Sequence, residues 1–187
     1  SRNYLKSLGA KKIKYIGNLK FSQTEKIEDN LKLSLKKYFK SKQIWCAAST
    51  HDREEEICAL VHKKLKKKYK NLLTIIIPRH ISRSEKIISE IQKLGLNIHA
   101  HESKNKINSK VDVYLVNAYG KTKSFFKICK TVFLGGSLIK HGGQNPLEAV
   151  RYGCKILHGP NNWNFKEIYE LLNTYKVSSK VNDIRQL

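Results

Sequence analysis

Thr131-Val132-Phe133-Leu134-Gly135-Gly136-Ser137-Leu138-Ile139-Lys140-His141-Gly142-Gly143-Gln144-Asn145-Pro146-Leu147-Glu148 reads as a strand, a glycine-rich loop and the start of a helix. Residues 131–134 are β-branched, aromatic and apolar, the composition of a buried strand. The two glycine pairs let backbone approach a ligand closely and leave N–H groups exposed. Asn145 is an N-cap residue, and Pro146 follows at the first helical position, where its missing donor costs nothing. Glu148 stands three residues after Asn145. From there a carboxylate closes a capping box or accepts hydrogen bonds from the paired hydroxyls of a ribose, and it has lone pairs for both.

The same strand-then-helix unit recurs along the chain. Strands are expected at 14–16, 44–48, 72–77, 96–99, 112–116, 131–134 and 155–157. Helices are expected at 25–39, 52–69, 82–94, 121–128, 146–152 and 164–174. The strands are continuous apolar runs, as in a parallel sheet covered on both faces. The alternation predicts an α/β fold with a doubly wound, mainly parallel sheet. No repeat and no Pro/Gly/Ser linker divides the chain, so residues 1–187 read as a single domain.

Composition narrows the function. Lys and Arg number 37 against 15 Asp and Glu, a formal net charge of +22. That excess suits an anionic partner: nucleic acid, acidic lipid headgroups or phosphorylated substrates. The densest run, Lys63-Lys64-Leu65-Lys66-Lys67-Lys68-Tyr69-Lys70, reads as a solvated helix face or as an electrostatic contact with acidic membrane or nucleic acid. The longest strongly apolar stretch, 72–77, falls far short of the ~20 residues that span a bilayer. The N-terminus lacks the apolar core of a secretory signal. Cys46, Cys58, Cys129 and Cys154 lie far apart, as reduced, buried thiols of a cytosolic protein do, and suggest no structural zinc.

In such folds ligands collect at the carboxyl ends of the strands. After 44–48 come Ser49, Thr50 and His51, whose hydroxyls either cap the next helix or meet an anion at its positive end. After 72–77 come Pro78, Arg79 and His80, where a guanidinium at the crevice mouth can grip phosphate or carboxylate as a fork. His80 also reads as an ordinary loop histidine. No G-x-G-x-x-G follows the first strand and no G-x-x-x-x-G-K-[ST] occurs, which disfavours NAD binding and P-loop chemistry. There is no H-E-x-x-H and no close Asp-x-Asp pair, so no metal and no cofactor are expected. Phosphate would be neutralised by Lys, Arg and helix N-termini, which fits a metal-independent group transfer from a nucleotide-activated donor.

Taken in order, Gly17-Asn18-Leu19-Lys20-Phe21, Ala47-Ala48-Ser49-Thr50-His51, Pro78-Arg79-His80, Gly135-Gly136-Ser137, Gly142-Gly143-Gln144-Asn145-Pro146-Leu147-Glu148-Ala149 and Gly159-Pro160 followed by Asn164-Phe165 resemble the bacterial 3-deoxy-D-manno-octulosonic acid (Kdo) transferases. Each motif alone is unspecific; six in this order, over residues 2–166, are specific. The resemblance implies an inverting glycosyltransferase of the GT-B type, with two Rossmann-like domains across a cleft. It moves Kdo from CMP-Kdo to the lipid A precursor in lipopolysaccharide synthesis, at the cytoplasmic face of the bacterial inner membrane. This chain resembles the C-terminal, donor-binding half. The catalytic carboxylate, acceptor site and membrane anchor would belong to an N-terminal half outside this sequence, so the chain alone should be inactive.

Carried over by resemblance, Glu148 would take the ribose hydroxyls of CMP. Asn145, Gly142 and Gly143 would lie near the phosphate or the sugar acid, with Gly136 and Ser137 in the same loop. Arg79, with Pro78 and His80 beside it, would shape the nucleotide pocket. Ser49, Thr50 and His51 would face the donor, and Lys20 would sit near an interdomain hinge. The chain departs from the family at Asn117-Ala118-Tyr119-Gly120-Lys121-Thr122, where an Asp-Thr-Met-Gly-Glu-Leu-like run is usual. The implied partners are CMP-Kdo, the lipid acceptor and an anionic membrane surface, with no specific nucleic acid. Two alternatives stay open: a GT-B domain for another nucleotide sugar, or a basic nucleic-acid-binding domain. The second finds little beyond charge, because Tyr114, Tyr119, Phe125 and Phe126 read as core rather than as a stacking platform.

Overall fold

The computed structural model describes residues 2–12 and 31–187. The strand expected at 14–16, the Gly17–Phe21 motif with Lys20, and the first part of the helix expected at 25–39 lie outside them. The described elements begin with α1 (Arg2–Ser7) and α2 (Leu33–Lys40). They continue as β1 (Gln43–Thr50), α3 (Glu54–Lys66), β2 (Leu72–Pro78), α4 (Ser84–Lys93), β3 (Ile98–Ala100) and β4 (Val113–Leu115). The second half holds α5 (Thr122–Phe126), β5 (Thr131–Leu134), α6 (Leu147–Arg151), β6 (Lys155–His158), α7 (Lys166–Thr174) and β7 (Ser178–Lys180). Among the described residues seven strands form one sheet in the order β3-β4-β2-β1-β5-β6-β7, and every pairing is parallel.

The strands are apolar throughout because both faces are covered. Cys46, Ala48, Leu73, Ile75, Val132 and Leu134 face one core with Phe39 of α2, Phe125 of α5 and Tyr169 of α7. Their neighbours Trp45, Ala47, Ile76 and Phe133 face the other, with Cys58 and Ala59 of α3 and Ile87 and Ile91 of α4. This is the doubly wound arrangement the alternation predicts. All four cysteines are free and buried. Tyr114, Phe125 and Phe126 are core as expected, whereas Tyr119 is 76% exposed on a turn.

Several boundaries differ from the sequence expectation for local reasons. β3 starts at Ile98 because Asp112 Oδ2 accepts the Asn97 N–H at 2.9 Å, which pins the chain before the ladder begins. The helix expected at 82–94 opens with a 3₁₀ turn, Ile81–Arg83, and the one expected at 164–174 with another, Trp163–Phe165. β7 was not expected, since Ser178-Ser179-Lys180 is short and polar.

The topology sets the site. β2 and β5 flank β1 on opposite sides, so the loops leaving β1 and β5 part from each other at their carboxyl ends. That parting is the switch point at which open α/β sheets bind ligands. β1 also kinks there: its register to β2 shifts between Ala48 and Thr50, and Ser49 takes φ 54°.

Candidate functional site

The switch point is held by a residue the sequence reading did not single out. Glu54, the first residue of α3, is fully buried, and its carboxylate accepts four backbone N–H groups. Oε2 takes His51 at 2.9 Å and Gly136 at 2.7 Å; Oε1 takes Ser137 at 3.1 Å and Leu138 at 3.0 Å. One carboxylate thus ties the loop after β1 to the loop after β5. Burial pushes its pKa above the ordinary carboxylate value, and the amides pull the other way. Ser49 and Thr50 do not cap α3: the residue before the helix is Arg53 at φ 73°, with no side-chain cap. The Thr50 hydroxyl is buried without a partner among the described residues. Gly135 is required by closeness, because a Cβ there would stand 2.5 Å from Ser49 O and 2.6 Å from the Thr50 Cα.

Much of the glycine loop is engaged internally. The buried Ser137 hydroxyl donates to Leu134 O at 2.5 Å and accepts the Gly159 N–H at 2.8 Å, so its polar capacity joins β5 to the loop after β6. Gly143 N–H donates to Gly136 O at 2.8 Å. The amides of Gly136 and Gly143, which the sequence reading turned toward a ligand, are therefore spent on Glu54 and on the loop itself. Gln144 O accepts from the Tyr169 hydroxyl at 2.9 Å, anchoring the loop to α7. Asn145 behaves as expected, with Oδ1 accepting Leu147 N–H at 3.1 Å. The helix that follows, α6, is only five residues long, too short for a substantial dipole. Glu148 is half-buried on its first turn.

What remains for a ligand converges above β1, β2 and β5. His51 lies 4.1 Å from His141 and 6.1 Å from His80, ring centre to ring centre. Its Nε2 is 3.4 Å from Gln144 Nε2. Burial, then the neighbouring His141, His80, Arg83 and Arg79, pulls the His51 pKa down to about 4. His51 is thus neutral near pH 7. Two arginines stand at the mouth. Arg83 is held at 2.9 Å by both Asp52 and the buried Glu55. Arg79 is exposed and has no carboxylate partner among the described residues. Pro78 ends β2 and is buried. Asn117, at the departing motif, accepts Glu102 N–H at 3.0 Å.

The structure therefore brings His51, His80, Arg79, His141 and Gln144 to one crevice, beside the turn that carries Asn145 and Glu148. Ser137, Thr50 and Pro78 lie beneath it as its frame. Lys20 is outside the described residues. Glu54, Arg83 and Gln144 were missed as site residues. For Glu54 and Arg83 the only sequence signal was charge beside a strand end, which any helix start shares. Among the described residues no cluster of three His, Cys, Asp or Glu is placed to hold a metal ion.

No protein-family model matches the chain. The 3-deoxy-D-manno-octulosonic acid transferase of Haemophilus influenzae is 34% identical over 163 residues, covering 86% of this chain and 38% of that protein. The enzyme of the same name from Aquifex aeolicus is 29% identical over 182 residues, covering 97% of this chain and 48% of that protein. Among solved structures, the C-terminal CMP-Kdo binding domain of WaaA from Acinetobacter baumannii superposes with a TM-score of 0.76 at 26% identity, covering 82% of this chain and 80% of that one. The chain thus spans less than half the length of these two curated relatives, and a C-terminal domain of comparable extent has been crystallised.

Proposed function

We propose that this chain, a member of the bacterial Kdo transferase family, is the half that binds the sugar donor CMP-Kdo. A second half would supply the acceptor site and the catalytic carboxylate, and the assembled enzyme would transfer Kdo to the lipid A precursor at the cytoplasmic face of the inner membrane. Transfer would invert the anomeric centre and need no metal. The chain alone binds and does not turn over. Among its described residues no helix is long and apolar enough to cross a membrane.

The observation that carries this reading is the contrast between the two arginines at the switch point. Arg83 is consumed by Asp52 and Glu55, while Arg79 stands with no carboxylate beside a neutral His51. An unpaired guanidinium at the crevice mouth suits a phosphate or a carboxylate, and CMP-Kdo carries both. Glu148, on the turn after Asn145, suits the ribose hydroxyls. The neutral His51 adds hydrogen bonding without repelling a cation or overcharging the pocket.

The test is an NMR titration of the chain with CMP, UMP and GMP, repeated on Arg79→Ala and Glu148→Ala. Cytidine-selective shifts around Arg79 and 142–148, weakened in both variants, are expected. Equal responses to all three nucleotides would replace this reading with a domain for another nucleotide sugar.

A further inference from the structure

Charge is distributed unevenly between the two ends of the sheet. Near the crevice the carboxylates are spoken for: Asp52 and Glu55 by Arg83, Asp52 also by Lys86, and Glu54 by loop amides. At the opposite end, where the strands begin, Asp112 pairs with Lys66, while lysines crowd the start of β1. A cavity of about 610 Å³ opens there between α2 and α5, beside the first residues of β1. Leu31, Phe39, Ile44 and Ile128 form its apolar floor, and among the described residues no Asp or Glu lines it. Lys40, Lys42, Lys127 and Lys130 stand round it. A second hollow of about 380 Å³ shares Lys40 and Lys42 and adds Lys68 and Lys70, again with no acid among the described residues. Lys42 is oriented by donating to Ser109 O at 2.9 Å and by lying 5.2 Å over the Tyr38 ring. Lys40, Lys127 and Lys130 have no carboxylate partner among the described residues.

This combination selects among anions. The volume is that of a small-molecule site. Free phosphate would use the lysines and leave the floor idle. A nucleic acid would want an exposed ring to stack on, and Phe39 is 2% exposed. An amphiphile uses both parts, with its phosphate among the ammonium groups and its first acyl carbons over Leu31, Ile44 and Ile128. Lysine stems suit that boundary, since their methylenes lie on apolar surface while the head stays wet.

We propose that this cavity binds the headgroup of an anionic phospholipid, so that the domain itself meets a membrane surface through the amino-terminal edge of its sheet. The site shares no residue with the crevice, so it stands or falls apart from the donor reading.

The experiment is co-sedimentation of the chain with vesicles of phosphatidylcholine alone or mixed with phosphatidylglycerol. It compares the parent with K40S/K127S/K130S and with K93S/K104S/K106S, which removes equal charge from exposed positions elsewhere. Thermal melts and the CMP titration confirm that each variant is folded. Binding is expected only with phosphatidylglycerol. Each cavity lysine near the anionic surface is worth about fivefold, so the cavity triple should weaken binding on the order of 100-fold and the control far less. Dihexanoyl phosphatidylglycerol should also shift the amides of Ile44 and Ile128 at concentrations where inorganic phosphate does not. Equal losses in the two triples would show diffuse attraction and overturn the proposal. Phosphate or an RNA oligonucleotide moving the same amides as strongly as the lipid would overturn it as well.

Discussion

Glu54 Oε2 accepts the amide hydrogen of Gly136 at 2.7 Å, which couples the first turn of α3 to the loop after β5 across the parting of the sheet's loops. With His51, Ser137 and Leu138 also donating, the carboxylate is an acceptor on every side. Glu54→Ala leaves four N–H groups without it in a site closed to water, and should cost about 3–5 kcal/mol. For a domain of this size that lowers the melting midpoint by on the order of 10 °C. Glu54→Gln should lose nearly as much, because its NH₂ would face donors. Thermal unfolding of both variants checks this, and a parent-like melt would show that the clamp is dispensable.

Gly135→Ala should also destabilise, by about 3 kcal/mol, because the new methyl would meet the backbone of Ser49 and Thr50 at 2.5 and 2.6 Å rather than a movable side chain. Gly95→Ala is the comparison. Its φ is +74° but nothing lies within 4 Å, so only the conformational penalty of about 1 kcal/mol applies. Denaturant midpoints rank the two, and a reversed order would mean that the loop after β5 yields to the methyl at little cost.

These two sites also mark how far the sequence could be read. The strands at 44–48, 72–77 and 131–134 were legible because burial on both faces makes them apolar at every position. Asn145 was legible because an N-cap followed by proline is a local code. Glu54 was not, because it sits in Asp52-Arg53-Glu54-Glu55-Glu56, which reads as an acidic first turn favoured by the helix dipole. Only the tertiary arrangement shows that Glu54 turns inward, Glu55 to Arg83, and Glu56 to solvent. The Ser137 hydroxyl is a similar case: a serine between glycines looks ligand-facing until its partners, Leu134 O and Gly159 N, are seen.

Arg79 and Arg83 should separate cleanly into binding and stability. Arg79→Ala removes an exposed side chain with no carboxylate partner among the described residues, so stability should stay within about 0.5 kcal/mol. Its CMP affinity should fall about 10- to 100-fold, the worth of a charge-assisted hydrogen bond to phosphate. Arg83→Ala strands Glu55, whose side chain is 1% exposed, and should cost about 3 kcal/mol of stability while leaving most of the affinity. Calorimetry on both variants decides, and a stability loss in Arg79→Ala would assign that residue to the frame of the crevice instead.

His51 gives the crevice a pH signature. Its folded value near 4 lies below the ordinary 6.5, so between those limits the unfolded chain binds a proton that the folded one refuses. The stability contribution is complete above about pH 6.5 and declines as pH falls through 4. His62, His99, His101 and His158 are shifted down by burial in the same sense. Denaturation midpoints should therefore drop from pH 7 to pH 5, and His51→Asn should flatten part of that slope. A bound phosphate acts oppositely on this one histidine. Negative charge within the crevice favours imidazolium, so CMP should raise the His51 midpoint, read from its ring proton by NMR, and leave His62, beside Thr74 and Asp112 toward the other end of α3, where it was. A His51 midpoint unmoved by saturating CMP would place the phosphate beyond the reach of His51 and return the anion to Arg79 alone.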